Sequence, residues 1–117
     1  MEAKAFGRYL RISVLKLRKI INIVRGKSVK DALALLRVLP NKGAKMAYKV
    51  IHSAQANFKN VNPEETADNL VITKICADQA PYLKRWLPRA RGRADMLMKG
   101  NSHLVVTVAL PAPEEKK

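Results

Sequence analysis

Residues 84–93 read Lys-Arg-Trp-Leu-Pro-Arg-Ala-Arg-Gly-Arg, with five cations and no carboxylate, between two β-prone runs. Such a segment holds too little apolar surface to build a core, and it repels itself unless an anion neutralises it. Arg89, Arg91 and Arg93 recur at every second position, so an extended chain would put all three guanidinium groups on one side. Arginine forks match phosphate oxygens, which makes a polyphosphate surface the expected partner. Trp86 and Tyr82 offer stacking surfaces among the cations, and Pro81 and Pro88 stiffen the chain.

The flanking runs cover residues 69–83 and 96–110. In the second, Leu104, Val106, Val108 and Leu110 alternate with His103, Val105, Thr107 and Ala109, the pattern of a half-buried strand. The link between the runs exceeds the usual two to five residues of a hairpin loop. The ribbon is therefore expected to continue past the globular body, with a reach on the order of 60 Å from Leu70 to Arg89. An isolated two-stranded ribbon is marginal in water, so it should be fixed only when bound.

Upstream, residues 3–12 read as a strand. Ser13 is placed to cap a helix in which Val14, Leu17, Ile20, Ile21 and Val24 form one stripe, ended by Gly26. Ser28 with Asp31 resembles a capping box for a second helix, buried through Val29, Ala32, Leu33, Leu36 and Leu39 and stopped by Pro40. Asn41 opens a third, with Ala44, Ala47, Val50, Ile51, Ala54 and Phe58 inward; residues 60–68 read as a loop. The expected fold is α+β: three helices packed on a small antiparallel sheet, in the order β-α-α-α-β-β, with a long β-hairpin extending from the body. One domain spans 1–110, its body about 1–78 and 100–110 and its hairpin about 79–99; 111–117 reads as a flexible tail.

Charge narrows the function. The net charge is +14, and residues 1–60 alone carry 14 cations against 2 carboxylates. That excess fits nucleic acid better than an anionic membrane, which favours a strongly amphipathic helix with bulky aromatics that this chain lacks. Folded RNA is favoured over duplex DNA, because a thin ribbon suits insertion between RNA helices and no DNA-reading motif occurs. Catalysis has no constellation to support it: His52 and His103 lack local acidic or cysteine partners, and Glu64, Glu65 and Asp68 read as solvated loop residues. Cys76 reads as a small core residue, Met96 and Met98 as packing on one ribbon face, and no metal-ligand or phosphate-loop spacing is seen. No cofactor, metal, enzyme activity, signal peptide, membrane association or homo-oligomer is expected. Helix N-termini near Ser13 and Asn41 are further places for phosphate.

Several pieces of the chain, in order, resemble one family. They are Glu2-Ala3-Lys4-Ala5, Arg11-Ile12-Ser13, Arg25-Gly26-Lys27-Ser28, Ser53-Ala54, Leu83-Lys84-Arg85, Pro88 through Asp95, and Ser102-His103. The sequence resembles the bacterial-type family of large-subunit ribosomal protein twenty-two, associated with the peptide exit tunnel, over about residues 2–110. It departs at Val14 and Leu15, where the family has proline and a basic residue, at Ala80 in place of glycine, and at the bulkier Trp86.

The resemblance implies a structural constituent of the large subunit that binds its rRNA, supports assembly and lines the tunnel with its hairpin. Implied partners are large-subunit rRNA, neighbouring ribosomal proteins including ribosomal protein four near the constriction, and the nascent polypeptide in passing. Implied rRNA-binding residues are Arg8, Arg11, Lys16, Arg18, Lys19, Arg25, Lys27, Lys84, Arg85, Trp86, Arg89, Arg91, Arg93, Lys99, Ser102 and His103. Pro88, Arg89, Ala90, Arg91, Gly92 and Arg93 would form the tunnel-lining tip. The implied location is the cytoplasmic ribosome, with an organellar ribosome left open. The alternative is a free-standing RNA-binding or RNA-chaperone module.

Overall fold

A computed structural model describes residues 2–63 and 69–110 of the 117-residue chain. The expected loop residues 64–68 and the tail 111–117 lie outside the described residues. Strand β1 (Glu2–Leu10) is followed by α1 (Val14–Val24), α2 (Val29–Val38), α3 (Lys42–Val61), β2 (Val71–Pro88) and β3 (Ala94–Ala109). The sheet is antiparallel in the order β1-β3-β2, so the last strand lies in the middle.

The local stop and start signals act as their chemistry dictates. Ser13 Oγ accepts from the Lys16 N–H at 3.4 Å, and Ser28 Oγ from the Asp31 N–H at 3.2 Å. Each satisfies an N–H that has no partner inside its helix. Gly26 takes φ +79°, the left-handed conformation that ends α1. α2 closes at Val38, just before Pro40. α3 differs from expectation by continuing through Asn60 to Val61; the Asn62 N–H still returns to the Phe58 carbonyl at 2.8 Å.

The helices cover one face of the sheet. On that face Ala3 and Ala5 of β1, Leu104, Val106 and Val108 of β3, and Ile72, Ile75 and Ala77 of β2 meet the buried stripes of the helices. Phe58, Leu17, Ile21, Leu36 and Ile51 are fully enclosed. Gly7 admits a close approach here: a Cβ at this position would lie 2.6 Å from Val50 Cγ2 on α3. The opposite face, with Lys4, Phe6, Arg8, Lys74 and Asp78, stays exposed. Cys76 sits half-buried on that open face rather than in the core, because it pairs with Val105, opposite Phe6.

β2 and β3 leave the body together. Burial ends at Ala80 and resumes at Asn101, and every residue from 81 to 99 is exposed. The molecule measures 67 Å along its longest axis against 25 and 22 Å across.

Candidate nucleic-acid interface

The exit of the ribbon from the body is clamped by side chains. The pairing shifts register between Ala80 and Leu83, around Pro81, which has no N–H to give. Asn101 Nδ2 donates to the Pro81 carbonyl at 3.2 Å, and Gln79 Nε2 to the Ala80 carbonyl at 2.8 Å. Beyond that bulge the ladder is continuous from Leu83↔Lys99 to Pro88↔Ala94.

Strand alternation then distributes the ribbon's side chains over two faces. Leu83, Arg85 and Leu87 share one face with their partners Lys99, Leu97 and Asp95. Lys84, Trp86 and Pro88 share the other with Met98, Met96 and Ala94. Met96 and Met98 thus lie together, as expected. Each face mixes cations with apolar groups, and Trp86 remains 67% exposed. Lys84 and Arg85 therefore point to opposite sides, a geometry suited to anionic surroundings on both.

At the tip the extended, every-second-residue arrangement does not hold. Ala90–Gly92 form a tight turn in which Arg91 (φ 60°) and Gly92 (φ 70°) are both left-handed. The Arg89 N–H donates to the Arg93 carbonyl at 2.6 Å, closing it. Two successive residues with positive φ reverse the chain, so side chains no longer alternate by strand parity from Ala90 onward. Arg89 Nε also pairs with Asp95 Oδ2 at 2.8 Å, both side chains being exposed. Arg91 and Arg93 are exposed and make no ion pair among the described residues.

A second basic surface lies on the body where α1 and α3 begin. Arg11, Ser13, Lys16, Lys19 and Lys42 line a cleft of about 360 Å³ together with Asn41 and Gly43, and none of its lining residues is a carboxylate. The Asn41 side chain makes no capping bond, although its carbonyl accepts the Ala44 N–H at 3.2 Å, so no side chain closes the start of α3 to an anion. Arg11 Nη1 donates to the Gly100 carbonyl at 2.7 Å, tying the cleft to the ribbon's root. Phosphate is the chemistry such a cleft accommodates.

The other expected residues are spread around the body. Arg18 is exposed and anchors to the β2 edge through the Ala77 carbonyl at 3.1 Å. Arg18 and Arg25 flank a cleft of about 260 Å³ beside Asp78. Lys27 is exposed, while its carbonyl accepts from the Ile72 N–H at 3.1 Å at the start of β2. Arg8 lies on the open face, with Cζ 5.3 Å from the Phe6 ring centre. His103 is half-buried beside Tyr9. Ser102 is the exception: it is fully buried and its hydroxyl donates to the Ile12 carbonyl at 2.7 Å, so it joins β3 to the start of α1 and presents nothing to RNA.

Three exposed residues near these positions escaped sequence reasoning: Phe6, Tyr9 and Asp78. Phe6 shares strand parity with Lys4 and Arg8, and that aromatic between cations was an available signal. Asp78 carried none, because its neighbour His103 is 25 residues away in sequence and meets it only in the β2–β3 ladder.

A sequence profile of the family described as Ribosomal protein L22p/L17e matches residues 5–109. Among curated relatives, the large ribosomal subunit protein uL22 of Desulforamulus reducens is 45% identical over 109 residues, covering 93% of this chain and 96% of its own. The protein of the same name from Roseiflexus castenholzii is 48% identical over 108 residues, covering 92% and 95%. That from Chloroflexus aggregans is 48% identical over 109 residues, covering 93% and 96%.

Proposed function

The chain belongs to the ribosomal protein L22p/L17e family, and on that premise we propose that it is a structural constituent of the large ribosomal subunit that binds the subunit's rRNA. Its role is architectural rather than catalytic. The observation that carries the reading is the ribbon: 81–99 is exposed on both faces, carries cations on each, and has no second layer of its own. A two-stranded ribbon lacks the burial needed for independent stability. RNA segments packed against both faces would supply that missing surface and neutralise Lys84, Arg85, Arg93 and Lys99.

The body and ribbon act as two parts of one domain, dividing near Ala80 and Asn101. The body docks through the Arg11–Lys16–Lys19–Lys42 cleft, with Arg8, Arg18, Arg25 and Lys27 as further contacts elsewhere on the body. The ribbon enters the subunit, and its tip at Arg89–Arg93 lines the nascent-chain tunnel beside ribosomal protein four. Binding releases counterions, so affinity should fall with salt at a log–log slope of about −0.7 to −0.9 per phosphate neutralised. The protein is then ribosome-bound; among the described residues, no helix is long and apolar enough to cross a membrane.

Sedimentation of tagged chain through a high-salt sucrose cushion tests the reading. Co-migration with large subunits is expected. Complete release into the soluble pool would instead point to a free-standing RNA-binding module.

A further inference from the structure

We propose that the open face of the sheet carries a notch that takes one unpaired guanine; this rests on the rRNA-binding reading. The notch, of about 200 Å³, is lined by Phe6, Arg8, Tyr9, Asp78 and His103 over a floor of Leu104 and Val105. It is too small for a nucleic-acid helix and suits a single planar base. Phe6 is 55% exposed and Tyr9 65%, an uncovered aromatic surface on a strongly cationic chain. Unpaired RNA bases stack on such rings, whereas paired ones are not available to them. Arg8 Cζ lies 5.3 Å from the Phe6 ring centre, in cation–π range, and its guanidinium is the group suited to the nucleotide's phosphate.

The polar groups specify the base. His103 Nδ1 accepts the Tyr9 N–H at 3.0 Å, and the two rings meet edge to face at 4.8 Å. A neutral imidazole accepting at Nδ1 carries its proton on Nε2, so His103 presents a donor of known position. Tyr9 holds that bond from a left-handed conformation, φ 55°, that is uncommon outside glycine. Directly across the ladder from His103 is Asp78, exposed and in no ion pair among the described residues. A carboxylate there repels phosphate, so it weakens backbone binding unless it accepts hydrogen bonds from a base.

One donor beside a two-oxygen acceptor complements the Watson–Crick edge of guanine, which offers O6 as acceptor and N1–H and N2–H₂ as donors. Adenine offers its acceptor and donor in the opposite order, and uracil has only one donor on that edge. The competing role for Asp78 is attraction of Arg18 and Arg25, with which it shares the neighbouring cleft.

Fluorescence anisotropy with the purified full chain separates these roles. The probes are four uridine heptamers carrying guanine, inosine, adenine or uracil at the centre, at one fixed salt concentration. The guanine probe should bind about tenfold more tightly than the adenine or uracil probe, with inosine between because it lacks the N2 amine. Asp78→Asn should erase the guanine preference, and Phe6→Ala should weaken binding of the guanine, inosine and adenine probes about five- to tenfold. Equal affinity for all four probes, or a preference unchanged in Asp78→Asn, overturns the notch and leaves this face to a protein neighbour or to solvent. A parallel competition of large-subunit rRNA against heparin tests the underlying reading. Guanine preference without rRNA preference keeps the notch and removes the ribosomal role, and the reverse outcome removes only the notch.

Discussion

β2 and β3 run through two very different environments. Between Val71 and Ala80 the ladder lies under α1 and α3, and Ile72, Ile75, Ala77 and Ala80 are buried. Between Leu83 and Pro88 the same two strands keep their pairing, yet every side chain is exposed. The backbone hydrogen bonds of the two halves are alike; what differs is apolar burial. A typical intramolecular hydrogen bond contributes only about 0.5–1.5 kcal/mol net, whereas burying one large apolar side chain contributes about 1.5–3 kcal/mol. The body is thus a fold in its own right, and the ribbon is half of one, completed by whatever surrounds it.

The comparison breaks most readily at the core. Phe58 is fully buried, and Phe58→Ala should destabilise the body by about 3–5 kcal/mol, read by chemical denaturation. Trp86→Ala, at a 67% exposed position, should change the same measurement by no more than about 0.5 kcal/mol. Comparable losses in the two variants would mean that the ribbon has a core after all.

Removing residues 84–94 and closing the ribbon with Asn-Gly should leave the melting temperature of the free protein within about 2 °C, because little burial is lost. The same deletion should reduce incorporation into large subunits at least about tenfold, since it removes five cations and the contacts on both faces. A sharp fall in melting temperature would place the segment within the cooperative unit of the body.

A finer contrast sets charge at the tip against charge on a helix. In competitive incorporation, Arg91→Glu should be disfavoured more strongly than Lys59→Glu, although each changes the net charge equally. Equal incorporation would show that total charge, rather than the fit of the tip, governs binding.

Smaller still are the local effects. Ser28→Ala, which removes the acceptor for the Asp31 N–H, should cost about 1 kcal/mol of body stability. Arg91→Gly should relieve a left-handed residue by about 1 kcal/mol and slow amide exchange at the turn, while lowering rRNA affinity through the lost cation. Faster exchange in that variant would show that the Arg91 side chain, rather than the backbone, holds the turn.

The folded body was largely legible because its signals are local. Ser13, Ser28 and Gly26 act within a few residues of themselves, and the stripe from Leu17 to Val24 records a face of a single helix. The basic ribbon was legible as charge between strands, and its continuation past the body was expected; what the residue propensities did not announce is that regular pairing persists to Pro88 and Ala94. Once two strands are in register, the ladder itself extends them. The tip was misread as extended because side-chain spacing carries no sign of φ, and Arg91 and Gly92 turn the chain through positive values.

Local chemistry alone therefore determined the three helices, their inward faces, the alternating β3 and the cationic excess that calls for RNA. Tertiary structure decided that β3 runs down the middle of the sheet, that Ser102 is enclosed under the start of α1, and that His103 meets both Tyr9 and Asp78. The division follows from range. A cap or an amphipathic stripe is an interaction over three or four positions, while Tyr9 and His103 are 94 positions apart and become neighbours only when β1 pairs with β3.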